Sequence, residues 1–333
     1  MAFKLLNEYD IIFISYDEDN CEENWADLES KAPWAKRVHG VEGSDAAHKA
    51  AAELSDTDMF ISVDADNVVD TSFFDMELDL DHPKLKDKAI SWAAQNYING
   101  LEYGNGGLKL WPKQYVLNMR THENSESDDK RNQVEFCWDN NYVQMTNQYS
   151  VTYPNGSPRQ AFRAGFREGV KMSLNQGGIA DKDNFEKSIW WGNYKRLITW
   201  CSVGADVEHG KWAMYGARLG CQMTNLTDWD YVNVRDFEYL NALWREMIAP
   251  QFAADANTVN INNCYKTSYK WDAARLDQSI TDLGNELRKG LGIQVAELDD
   301  LQSKFYKSAI IHAPRMNKMF TEEELNELRK LNK

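Results

Sequence analysis

The chain predicts an α/β fold: a Rossmann-like mixed, mainly parallel sheet flanked by helices, with a helical C-terminal extension. Near-continuous apolar runs of strand length recur in the first hundred or so residues, as expected for strands buried on both faces. An Ala-rich helical segment stands between two of these runs. The resulting order of strand, strand, helix, strand over residues 10 to 63 is the alternation that builds a parallel sheet. From about residue 231 the pattern is mostly helical, so two parts are expected, 1 to 230 and 231 to 333.

The first strand is DIIFIS, residues 10 to 15, and the acidic YDEDN after it opens a ligand-facing loop at the strand's carboxyl end. VHGV, residues 38 to 41, is a second short strand. In SDAAHKAAAEL, residues 44 to 54, Ala46, Ala47, Ala50, Ala51 and Leu54 share a helical face, with Ser44 as N-cap. MFISV, 59 to 63, is the third strand and KAISWA, 88 to 93, a further one. MRTHENSESDDKRNQ, 119 to 133, is polar enough to be an exposed insertion. Ser157, Pro158 and Gln160 open a helix as N-cap, first residue and capping-box partner. Near the C-terminus, AIIH at 309 to 312 reads as strand-like, and Thr321 with Glu324 caps a terminal helix.

Hydrophobic content of 43% with 12 Trp, 15 Tyr and 13 Phe excludes a disordered chain. No apolar run reaches the roughly 18 residues of a membrane span, and no basic segment leads into a long apolar one. A soluble, cytoplasmic protein is expected, with no membrane partner. Five cysteines are scattered singly without a C-x-x-C pair, which predicts reduced, structural thiols. A net charge of −15 argues against a surface that coats nucleic acid, although a local basic strip is compatible with it.

Four constellations can carry chemistry. In ISVDADNVVD, residues 61 to 70, Asp64 and Asp66 stand at the end of a buried strand, where an extended D-x-D directs both carboxylates toward one cation or diphosphate. A solvated acidic turn is the alternative. In GADVEHGKWAMYGARLG, residues 204 to 220, Asp206 and Glu208 precede a helix; Asp206 is either a reactive carboxylate or a cap. His312 is either a cation ligand, with Arg315 and Lys318 to neutralise phosphate, or a hydrogen-bonded core residue. Arg159, Arg163, Arg167 and Lys171, spaced by four, form one basic stripe on a helix that either pairs with protein acids or tracks a phosphate backbone.

In this order the motifs resemble family-2-type glycosyltransferases of the A fold, enzymes that use nucleotide-sugar donors. The resemblance rests on IIFISYDEDN, the helix leading into ISVDADN, GNGGLKLW and GADVEHGKWAMYGARLG, spanning residues 8 to 225, with HAPRMNK at 312 to 318 similar to the segment that completes the donor site. It implies that Ser15, Tyr16 and Asp17 lie against the nucleotide, that Asp66 ligates Mn²⁺ or Mg²⁺, and that Asp64 faces the ribose or the metal. It further implies His312 as a metal ligand, Lys318 as a phosphate contact, Gly106 and Gly107 as the sugar pocket, and Asp206 as general base. Ala205 stands where that family's signature has Glu, which leaves the base between Asp206 and Glu208. A finer resemblance is to tailed-phage enzymes that glycosylate hydroxymethylated pyrimidines, above all 5-hydroxymethylcytosine, in DNA.

What the resemblance implies is a metal-dependent, inverting transfer from a UDP-sugar to a DNA hydroxyl in the host cytoplasm, with Arg159, Arg163, Arg167 and Lys171 on the DNA. Trp111, Trp190, Trp191 and Trp212 are candidates for stacking a flipped base or are core residues. The alternatives are a polysaccharide, lipid or protein acceptor on the same fold, or a noncatalytic module that binds nucleotide or metal.

Overall fold

Asp10–Ser15 (β1) forms where its apolar run predicts, with Ile11, Ile12 and Phe13 fully buried. The computed structural model describes residues 3 to 103, 107 to 126, 141 to 254 and 270 to 310. Two units make up the chain: Met1–Tyr97 with Glu102–Pro154, and Ile98–Leu101 with Asn155–Lys333. Within the second of these, helices on either side of residue 230 pack on one another.

The first unit is built on a mixed sheet. Its strands after β1 are Lys36–His39 (β2), Met59–Asp64 (β3), Asn67–Val69 (β4), Ala89–Asn96 (β5), Glu102–Tyr103 (β6), Leu108–Pro112 (β7) and Tyr142–Thr152 (β8). They are ordered β2-β1-β3-β7-β5-β8-β4, with β6 on β5. The β1–β2, β1–β3 and β5–β8 pairs are parallel. The pairs that β7 makes with β3 and β5, and the β8–β4 and β5–β6 pairs, are antiparallel. The sheet is therefore mixed rather than mainly parallel. β7 runs backwards through its centre after Gly107, whose φ of +68° turns the chain into the strand.

One topological fact positions the acid pair. β3 and β4 are separated in the strand order by β7, β5 and β8, yet only Ala65 and Asp66 connect them. Three Cα steps span at most about 11 Å. The sheet consequently curls until its edge strand β4 meets the carboxyl end of β3, and the D-x-D segment is the seam.

Two local expectations shift. β2 ends at His39 because Gly40, with φ +74°, leaves the strand. The helix Ser44–Leu54 has Gly43, not Ser44, as N-cap, and no side-chain cap from that residue. Glu123 does that work instead, its Oε1 accepting from Asp45 N at 2.5 Å. The helix buries Asp45, Ala47, His48, Ala51 and Ala52, a face rotated from the expected one, which leaves Ala46 and Leu54 exposed. The polar segment that supplies Glu123 is correspondingly no simple insertion: Thr121 and His122 are buried, and Asp45 Oδ1 accepts from Thr121 N.

The second unit is helical. Pro158–Met172 (α1) begins as predicted, with Ser157 Oγ accepting from Gln160 N. It packs on Gly210–Leu226 (α2) through a seam of small residues. A methyl group at Gly165 or Gly169 would overlap the carbonyl oxygen of Ala213 or Ala217, and one at Gly216 or Gly220 would overlap that of Phe162 or Phe166. Ala273–Leu291 (α3) covers α2, and Arg218, fully buried, ties the unit together. Its guanidinium donates to the carbonyls of Cys201, Ile280 and Ala296 and to Glu297 Oε1. Asp300–Ile310 (α4) includes Ala309 and Ile310, so the start of the expected strand-like run is the end of a helix. Among the described residues no helix is long and apolar enough to cross a membrane.

Candidate functional site

The acid pair occupies the curl of the first unit's sheet. Asp64 ends β3, its amide donating to Gly107 O at 3.0 Å, and its carboxylate lies 3.9 Å from Lys109 Nζ. Lys109 is itself buried on β7, a cation that alternation along LKLWP turns inward toward the acids. Asp66 follows in the turn. Its carbonyl accepts from Tyr153 N at 2.6 Å and its Oδ1 from Asn67 Nδ2 at 2.9 Å.

Burial pushes the Asp66 carboxyl up to about 7, helped by the negative charges of Asp64 and then Glu18. Two carboxylates held this close resist joint ionisation unless a cation joins them. Gly107 completes the cradle: a side chain there would collide with Asn67 Nδ2 and stand 2.7 Å from Asp64 Oδ2. Gly107, expected in the sugar pocket, lies against Asn67 and Asp64, while Gly106 lies outside the described residues.

The donor set suits a hard divalent cation. Mg²⁺ or Mn²⁺ takes one or two protein carboxylates and completes its shell with water and substrate phosphate oxygens. The further ligand expected at His312, and the phosphate contact at Lys318, lie outside the described residues. Elsewhere in this unit Cys21, Glu22 and His39 bring potential ligand atoms within 4.8 Å of one another. The Arg37 guanidinium already sits among them. It donates to both Glu22 oxygens at 2.6 and 2.9 Å and to Cys21 Sγ, and lies 3.2 Å from His39 Nδ1. A second cation there would have to displace it.

The residues expected against the nucleotide divide. Ser15 is buried, and its hydroxyl is engaged by Arg37 Nε and His39 Nδ1, both at 3.0 Å. It braces β1 against β2. Tyr16 and Asp17 are exposed beyond the strand end, with Tyr16 N donating to Glu18 Oε2 at 2.8 Å. Sequence inspection missed Glu18, Asn67 and Lys109. All three stand inside stretches already singled out, YDEDN, ISVDADNVVD and GNGGLKLW, one or two residues from Asp17, Asp66 and Gly107.

In the second unit Asp206 is not a helix cap. α2 starts at Gly210 behind a left-handed His209, and Asp206 lies in the preceding turn. Its side chain is 6% exposed and Oδ2 receives the Lys307 ammonium at 2.6 Å. Burial raises the Asp206 carboxyl above the ordinary aspartate range although Lys307 pulls it down. Oδ1 is buried without a hydrogen-bond partner among the described residues. Glu208 is the contrasting case: its side chain is 84% exposed, 3.6 Å from His209 Nε2. Of the two carboxylates the sequence left open, Asp206 is the one whose environment is built.

The basic stripe faces protein. Arg159 is 5% exposed and donates to Asn241 Oδ1, Arg163 and Arg167 lie 5.4 and 5.0 Å from the Phe237 ring centroid, and Lys171 pairs with Glu168 at 2.5 Å. The helix Phe237–Leu243 packs beside the stripe, so these cations, expected on DNA, have partners within their own unit. Trp111 and Trp212 are core residues, whereas Trp190 and Trp191 are exposed at the start of the helix Trp191–Ser202.

Comparison with protein families, with curated proteins and with solved structures finds no match to this chain.

Proposed function

We propose that this chain is a metal-dependent glycosyltransferase that uses a UDP-sugar as donor. One observation supports it most: Asp64 and Asp66 are held together at the carboxyl end of a central strand, in a curl that raises Asp66 to about 7. Evolutionarily neutral acidic turns do not need burial of this kind, because a solvated turn leaves its carboxylates in water. The crevice beyond the carboxyl ends of strands is where ligands bind in open α/β sheets. Asp66, with Asp64 beside it, would hold a divalent cation, whose contribution would be Lewis-acid neutralisation of the departing diphosphate.

The remaining roles are those the resemblance implies. Asp206 is the base that the resemblance assigns, the carboxylate that would take the proton of the acceptor hydroxyl. The hydroxyl oxygen bonds to the anomeric carbon as the bond from that carbon to the diphosphate oxygen breaks, and UDP leaves with the electron pair. One direct displacement inverts the anomeric configuration. Tyr16 and Asp17, exposed at the end of β1, are the nucleotide contacts.

For the acceptor, the resemblance points to the hydroxyl of 5-hydroxymethylcytosine in phage DNA. The engagement of the basic stripe within its own unit removes the independent support for a polyanion, and favours a second reading in which the acceptor is a polysaccharide, lipid or protein. The deciding experiment incubates the protein with Mn²⁺, a panel of nucleotide sugars, and unmodified, hydroxymethylcytosine or hydroxymethyluracil DNA, followed by mass spectrometry of nucleosides. A hexose or pentose added to one modified DNA is expected. Donor hydrolysis without transfer to any of the DNAs would point to the second reading, and no turnover of any donor would leave only a noncatalytic binding module.

A further inference from the structure

We infer that Lys109 is a resident cation of the acid pair, one that weakens binding of a bare divalent ion and strengthens binding of its diphosphate complex. This rests on the metal-dependent use of a UDP-sugar proposed above, and it needs only the first unit. Lys109 lies on β7 opposite Ser62 of β3 and Ser91 of β5, with its side chain 5% exposed. A lysine ammonium is seldom taken out of water unless a charge is placed to meet it. Nζ stands 3.9 Å from Asp64 Oδ2, and the Asp64 side chain is 39% exposed.

The distance is the informative part. Three other lysines of this unit close fully on their aspartates: Lys31 on Asp27 at 2.6 Å, Lys36 on Asp10 at 3.0 Å and Lys49 on Asp45 at 2.5 Å. At 3.9 Å the Lys109 ammonium makes no hydrogen bond to Asp64, so it adds its charge without taking the carboxylate's lone pairs. Gly107 stands two residues earlier, where a side chain would come within 2.7 Å of Asp64 Oδ2. The start of β7 therefore brings clearance and positive charge to the acid pair together. His48, on the helix Ser44–Leu54, also faces Asp64 and Lys109, and burial pushes its imidazole down, so it adds no charge at neutral pH.

Charge accounting gives the consequence. Two ionised aspartates cancel a divalent cation, and Glu18 adds a further negative charge at Asp66, so without Lys109 the loaded site would hold no positive charge for a diphosphate. Lys109 supplies one. In the metal-free protein the same ammonium repels a divalent ion twice as strongly as it repels a competing proton, so its removal favours the ion. At an effective dielectric of about 20, a unit charge this near is worth more than a factor of about ten in either affinity.

The test titrates Mn²⁺ into wild type, Lys109→Met and Lys109→Arg, reading the free ion by electron paramagnetic resonance, and then UDP into each at saturating Mn²⁺ by calorimetry. In Lys109→Met the Mn²⁺ Kd is expected to fall, and the UDP Kd to rise, each by at least about tenfold. Lys109→Arg, which keeps the charge, should hold both within about threefold of wild type. Loss of a merely structural residue would loosen both ligands together, so the opposite signs decide. Any other pattern in a folded Lys109→Met protein overturns the inference, while Mn²⁺ and UDP binding by wild type leaves the proposed activity standing. If wild type binds no Mn²⁺, the metal site itself fails, and the role of Lys109 with it. Should Lys109→Met not fold, Lys109→Gln, which keeps a hydrogen-bond donor in the buried position, is held to the same two shifts.

Discussion

Removing the Asp66 charge should stabilise the metal-free protein and abolish its response to Mn²⁺. The carboxyl is raised from an ordinary value near 3.8 to about 7. A group whose folded pKa is raised carries no penalty below its unfolded value, and the cost of ionising it in the fold grows as pH rises from about 4 to about 7 and is constant above. Three units at about 1.4 kcal/mol each give about 4 kcal/mol, and partial exposure to solvent reduces this to roughly 2–4 kcal/mol. For a unit of this size that corresponds to roughly 5–10 °C in Tm. The assay is thermal unfolding in EDTA at pH 4.5 and pH 8 for wild type and Asp66→Asn. The window lies above the acid range where Asp10 and Asp45 titrate; both are buried in part, but Lys36 with the Asp56 amide and Lys49 with the Thr121 amide hold them below the usual carboxylate value. Wild type should lose stability across it relative to the variant. At pH 8, Mn²⁺ at a hundred times its Kd should return about 2.7 kcal/mol to wild type and nothing to Asp66→Asn. Parallel pH profiles, or equal stabilisation of both proteins by Mn²⁺, would refute the account of the acid pair.

Four further outcomes are expected. Asp206→Asn should keep donor binding, measured by calorimetry, and lose transfer by at least about 100-fold; near-normal turnover would move the base to Glu208 or elsewhere. Gly169→Val should drive a side chain into the Ala217 carbonyl and cost about 3 kcal/mol or more in denaturant unfolding, whereas Gly178→Ala, with only Asn175 O at 3.6 Å, should cost under about 1 kcal/mol. Arg218→Met should strand three carbonyls and Glu297, lowering stability by about 3–5 kcal/mol. Neutralising Arg163 and Arg167 should leave the salt dependence of any DNA binding unchanged if the two guanidinium groups serve to hold Phe237, over whose ring they lie; a flatter slope would return the stripe to the nucleic acid.

How legible each part was depended on whether its cause is local. The runs DIIFIS and MFISV became strands because a continuous apolar stretch needs cover on both faces, and Ser157-Pro158 started a helix because the cap and its first N–H are three residues apart. The helix at 44 to 54 was found, but its buried face was not, since Ala supplies little difference between faces. The side it turned inward was chosen by distant Glu123 and Asp45 contacts. The Arg stripe shows the same limit. Spacing by four guarantees one face, and nothing in the spacing says whether solvent, phosphate or Phe237 lies opposite.

The sequence by itself determined that this is an α/β protein with a D-x-D at a strand end and a Gly-flanked acidic turn before a long helix, because strand, helix and turn signals act within a few residues. Only the tertiary structure decided that β7 runs backwards through the sheet, that the sheet curls to close on Asp66, and that Lys307, 101 residues from Asp206 in the chain, is its partner. These depend on which surfaces meet after the elements form. Burial, which raises both aspartates, is a property of that meeting and not of either motif.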